Sequence, residues 1–142
     1  MNINDNKSKG KAGLAIAIGY YGNEGYTISL PLNDTQDYDL IIDNGESLKK
    51  VQVRCTGHIN KYGRYEVSVK SSGGTKGYTY SHVKDTDIDI LFVVCTNGWM
   101  FEIPKNVITQ SSSITLYNEK SKYSNSEDYS KYMVHLKFNN VD

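Results

Sequence analysis

The stretch Tyr38-Asp39-Leu40-Ile41-Ile42-Asp43-Asn44-Gly45-Glu46-Ser47-Leu48-Lys49-Lys50-Val51-Gln52-Val53-Arg54 decides how the chain is read. Tyr38 to Ile42 is a short apolar, partly β-branched run, which predicts a strand. Asn44-Gly45 then supplies a hairpin turn, because this pair accepts the positive φ angles of a tight reversal. The returning arm, Leu48 to Cys55, follows the period of two. Val51 and Val53 share one face, and Lys50, Gln52 and Arg54 share the other. Asp39 begins the first arm, so a carboxylate, an amide oxygen and a cation can converge near one hairpin.

Outward from the hairpin, the same rules give the remaining elements. Ser8 caps a helix from about Gly10 to Asn23, with Gly25 near its stop. Ala12 to Gly19 is apolar on nearly every side, which predicts a buried helix lying close against a sheet. Tyr26 to Leu30 alternates as a strand and ends at Pro31. Tyr65 to Val69 is another strand, followed by a Ser/Gly/Lys loop from Ser71 to Gly77. Tyr78 to Asp87 is ambiguous, with room for a short helix. Ile88 to Cys95 is apolar enough for a central strand. Asn97-Gly98 turns it back into Trp99 to Ile103, before Pro104. Ser113 to Leu116 is a short edge strand. Ser126 caps a final helix from Glu127 to about Lys137, with acids in its first turn. Neither a repeat nor a linker interrupts this order. The expectation is one α/β domain over residues 1–142, a central mixed sheet flanked by helices.

The chain has 142 residues, enough for a core that needs no disulfide. No apolar run is long enough for a transmembrane helix, and the polar N-terminus lacks the apolar segment of a signal peptide. Cys55 and Cys95 have no ligand-spaced partner and read as buried reduced thiols, as expected of a cytoplasmic protein. The formal net charge is zero, at first sight a poor match for a polyanionic partner. The zero is polarised, however. Residues 1–84 hold 11 Lys+Arg against 8 Asp+Glu, and residues 85–142 hold 5 against 8. Local basic character is what a phosphate backbone requires.

The hairpin residues admit two readings. A hard divalent ion such as Mg²⁺ takes oxygen ligands and keeps several waters, so Asp39 and Gln52 can suffice to hold it beside a cation. The other reading is an ordinary solvated sheet face. Elsewhere the residues say less. Asp87 and Asp89 read as solvating a strand start. His58, His82 and His135 lack ligand spacing, Ser111 to Ser113 read as loop, and Ser72-Gly-Gly-Thr75 lacks a P-loop lysine. Tyr62, Tyr65, Tyr78 and Tyr80 interleave with Lys61, Arg64, Lys70 and Lys76, which suits either a DNA groove or strand packing.

Taken in order, Gly10-x-x-Gly13, Gly25-Tyr-Thr-Ile, Pro31-Leu32, Tyr38-Asp39-Leu, Val51-Gln52-Val53-Arg54, Asp87-Ile-Asp89 and Phe101-Glu-Ile-Pro104 resemble the PD-(D/E)xK nuclease superfamily. The resemblance is to the branch of intron-encoded homing endonucleases and Holliday-junction resolvase relatives, and covers roughly residues 10–116. It implies a restriction-endonuclease-like fold and Mg²⁺- or Mn²⁺-dependent hydrolysis of DNA. Asp39 matches the metal-binding aspartate, and Gln52 the second acidic position. Arg54 falls where a catalytic lysine is expected. The backbone carbonyl of Val53 becomes a third metal ligand. Lys9, Lys11, Lys50, Arg64, Lys70 and Lys76 become the expected contacts to double-stranded or branched DNA. One site per chain implies a homodimer or homotetramer, with the C-terminal half and its last helix as the expected assembly surface.

Two positions depart from the pattern. Arg54 replaces the lysine, and its guanidinium cannot become a neutral base. Leu14 replaces an acid common on the first helix. Three outcomes are open: slower cleavage with Arg54, a lysine migrated to Lys50 or Lys70, or a scaffold that binds DNA or protein without cutting.

Overall fold

The computed structural model describes residues 6–33, 35–72, 80–116 and 129–138. It begins with α1 (Asn6–Asn23), then β1 (Thr27–Ser29), β2 (Leu40–Asp43) and β3 (Leu48–Thr56). The β2–β3 turn is closed by its side chains as well as by Gly45 at φ +90°. Asp43 Oδ1 accepts the Gly45 N–H at 2.7 Å, and Asn44 Oδ1 accepts those of Glu46 and Ser47, both at 2.9 Å. Then come β4 (Tyr65–Ser68), β5 (Lys70–Ser72), β6 (Tyr80–His82), β7 (Ile90–Cys95), β8 (Met100–Pro104), β9 (Ser113–Leu116) and β10 (Met133–Val134).

Six strands form the main sheet, in the order β1-β2-β3-β7-β8-β10. Its central pair, β3 and β7, is parallel, and the other neighbours are antiparallel, so the sheet is mixed as expected. Helix α1 covers one face. Its Ala17, Tyr20 and Tyr21 pack with Leu40, Ile42, Val51, Ile90, Phe92 and Val94. The antiparallel pair β4–β9 covers the other face, where Tyr65, Val67, Ile114 and Leu116 meet Leu91, Val93, Phe101 and Ile103. Strand β7 is therefore buried on both sides, which is why Ile90 to Cys95 is apolar at every position.

Two expectations are corrected. The final helix is absent from its described part. Ser130–Tyr132 is a single 3₁₀ turn, and Met133–Val134 pairs with Phe101 and Met100 of β8. Residues 126–128 lie outside the described residues. Buried Tyr129 anchors this segment by donating its hydroxyl to Gln110 Oε1 at 2.8 Å, and the open edge of β8 then offers backbone partners that a local helix signal does not reveal. Among the described residues helix α1 is covered on one side only, with Ile16 42% exposed on the other. The ambiguous segment does hold the short helix it had room for, a 3₁₀ turn at Val83–Asp85, after strand β6.

Candidate functional site

The parallel register places Gln52 beside Leu91 and Arg54 beside Val93, whose side chains belong to the core under β4–β9. Val51 and Val53 stand beside Ile90 and Phe92, on the α1 side. The alternation in Val-Gln-Val-Arg thus sends its polar members to the face away from the helix.

Asp39 stands where β2 begins. Its backbone N–H donates to the Val51 carbonyl at 2.8 Å, and its Oδ2 accepts the Val53 N–H at 2.7 Å. The carboxylate is thereby fastened to β3 between Gln52 and Arg54. Burial raises the Asp39 carboxyl above its ordinary pKa, against the opposing pull of the Val53 hydrogen bond and the Arg54 charge. Burial lowers Arg54 in turn, with Asp39 opposing. The Arg54 guanidinium donates through Nη1 to the Lys70 carbonyl at 3.3 Å. That anchor is a main-chain atom, so no residue type in the sequence announces it.

Gln52 Oε1 is buried and has no hydrogen-bond partner among the described residues. A buried orphan of this kind costs about 1–3 kcal/mol, so its retention points to a ligand or water at this position. A carboxylate and an unfilled amide oxygen suit a hard divalent cation. They are a sparse pair, since no group of three or more His, Cys, Asp or Glu converges among the described residues. Leu14, at the position where the resemblance led to the expectation of an acid, packs into the α1-side core.

The other expected site residues do not gather in one place. Lys9, on α1, reaches Gly57 on the helix side of the sheet, and Lys11 lies exposed on the same helix. Lys50 is held at the opposite end of β3, its Nζ 2.6 Å from Asp87 and its N–H donating to Asp89 Oδ2 at 2.8 Å. Asp87 raises the Lys50 ammonium, and Lys50 lowers the Asp87 carboxyl. Lys70 flanks Arg54 through its backbone. Arg64 is half-buried, in the loop where Asn60 Oδ1 accepts its N–H. Lys76, with residues 73–75 of the Gly-rich stretch and Tyr78, lies outside the described residues, whereas Ser71 and Ser72 belong to strand β5, paired with β6, and not to the expected loop. Tyr65 is buried against Trp99, which is strand packing, whereas Tyr62 is exposed.

The bacterial homing endonuclease I-Ssp6803I is similar to this chain at a TM-score of 0.75 and 25% identity, over 89% of this chain and 87% of that one. Hjc, a Holliday junction resolvase from the archaeal hyperthermophile Archaeoglobus fulgidus, shares the fold at a TM-score of 0.53 and 10% identity, over 80% and 87% of the two chains. No curated protein matches the chain. A sequence model of the PD-(D/E)XK endonuclease family matches residues 4–134, and the mixed sheet, the fastened Asp39 and the Gln52–Arg54 face lie within that span: the chain belongs to the PD-(D/E)XK endonuclease family.

Proposed function

We propose that this protein binds DNA through the Asp39–Gln52–Arg54 face and holds backbone phosphate there without hydrolysing it. The observation that carries the reading is Arg54. A guanidinium stays charged even when burial lowers it, and presents several fixed N–H donors to phosphate oxygens. It cannot act as the neutral base that an ammonium becomes on losing a proton. The sparse donor set and Leu14 on the helix support the same reading. The partner is double-stranded or branched DNA, in line with the similarity to a homing endonuclease and the fold shared with a Holliday junction resolvase.

The orphaned Gln52 Oε1 favours a second reading, Mg²⁺- or Mn²⁺-dependent cleavage. Asp39, Gln52 and the Val53 carbonyl would hold the ion, which supplies an activated water and charge neutralisation at the phosphate. Arg54 would steady the phosphate, and a homodimer or homotetramer would serve both strands.

A plasmid-nicking assay with Mg²⁺ or Mn²⁺, run beside a salt titration of DNA binding, separates the readings. Wild type is expected to bind DNA in a salt-sensitive way and leave the plasmid intact. Nicking that disappears in Asp39→Ala would establish the second reading. Absence of DNA binding would overturn both.

A further inference from the structure

Beyond Arg54, the polar face of β3 runs into a cleft of about 400 Å³ between the end of that strand and the β4–β9 layer. Arg54 is common to the Asp39–Gln52 site and to this cleft. We propose that the cleft seats a second DNA backbone phosphate, next to the one that Arg54 holds on the Asp39–Gln52 face; this rests on the DNA-binding reading above.

The lining has the chemistry of a phosphate seat. Arg54 is fixed by its bond to the Lys70 carbonyl, which leaves other guanidinium N–H groups to donate. Ser112 and Ser113 line the cleft and are exposed, offering hydroxyl donors of the kind that position phosphates. The His58 ring reaches the same opening, with 70% of its side chain exposed. Among the described residues that line the cleft the one acid is Glu66, whose carboxylate is already engaged. Its Oε1 accepts from Asn60 Nδ2 at 3.1 Å, and its Oε2 lies 3.6 Å from His58 Nε2. A charged guanidinium beside hydroxyl donors favours an anion, and continuity with the Asp39 face through Arg54 makes that anion the neighbouring phosphate of one strand.

The test is fluorescence anisotropy of a short labelled duplex with full-length wild type, Ser112→Glu and Ser113→Glu, over a range of KCl. Both serines are exposed, and melting temperatures verify that each variant folds. Each added carboxylate is expected to weaken binding roughly tenfold at low salt and to flatten the salt dependence by about one ion. A duplex carrying one neutral methylphosphonate at the seated position is expected to erase the difference between wild type and variant. Wild type and both variants binding with equal affinity and slope would overturn the second seat while the DNA-binding reading stands. Failure of wild type to bind the duplex would overturn that reading and this inference together.

Discussion

At the scale of single residues, Asp39 holds two opposed roles. Its carboxylate closes the β2–β3 ladder at Val53, yet burial opposes its charge. With a folded pKa above the unfolded value, Asp39 stabilises the protein fully only below the unfolded pKa, about 3.9, and that contribution is lost as pH rises through the raised folded value. Asp39→Asn keeps an oxygen for the Val53 N–H and removes the charge. It is expected to raise the melting temperature at neutral pH, a gain that vanishes in acid; an equal gain at both pH values would mean that burial of the charge is not the cause. The cysteines give a second residue-scale prediction. Burial pushes the Cys95 thiol up to about 12 and raises Cys55 as well. A disulfide reagent at neutral pH is expected to react slowly with the native protein and rapidly with both thiols after unfolding. The types and spacing of Asp39, Gln52 and Arg54 were legible in the sequence. The orphaned Gln52 oxygen and the Lys70 carbonyl were not, because one depends on what surrounds the side chain and the other on a main-chain atom 16 positions away.

At the scale of elements, the close packing of α1 on β3 rests on Gly13. A Cβ there would stand 3.2 Å from Cys55 Cβ and 3.6 Å from Val53 Cγ1. Gly13→Val is therefore expected to lower stability by roughly 1–3 kcal/mol through overpacking, measured by urea denaturation. A neutral result would mean that the helix can lift away from the strand without loss. Phe92 is fully buried between Tyr20 and Tyr21 of the helix, with ring centroids 5.4 Å from each. Phe92→Ala is expected to cost about 3–5 kcal/mol by the same measurement. The strands of the central sheet were readable because alternation and turn residues are local signals. The C-terminal segment was misread because its acids and Ser126 satisfy a local helix rule, while its described part is decided by the open edge of β8.

At the scale of the molecule, zero net charge resolves into separated places. Lys9 and Lys11 belong to the helix layer, Lys50 is tied to Asp87, and Arg54 with Lys70 faces the β4–β9 cleft. A single basic stripe would make these cations equivalent in DNA binding, and their placement makes them unequal. Arg54→Ala is expected to weaken DNA binding about tenfold and flatten its salt dependence by about one ion, whereas Lys9→Ala leaves both nearly unchanged. Equal losses from the two variants would favour DNA wrapping both faces. Among the described residues no helix is long and apolar enough to cross a membrane.

The sequence by itself determined the helix, most of the strands and the two Asn-Gly reversals, because propensity, alternation and turn chemistry act over a few neighbouring residues; the family was legible separately, as a resemblance carried by the order of its motifs. It also determined which side chains share the polar face of β3, since a period of two leaves no other arrangement. Only the tertiary structure decided that Asp39 is fastened to that strand, that Gln52 keeps an unpartnered oxygen, that Arg54 turns toward Lys70, and that the basic residues are dispersed. Each of these depends on which distant segments the fold brings together, and contact between distant segments is set by packing the whole chain.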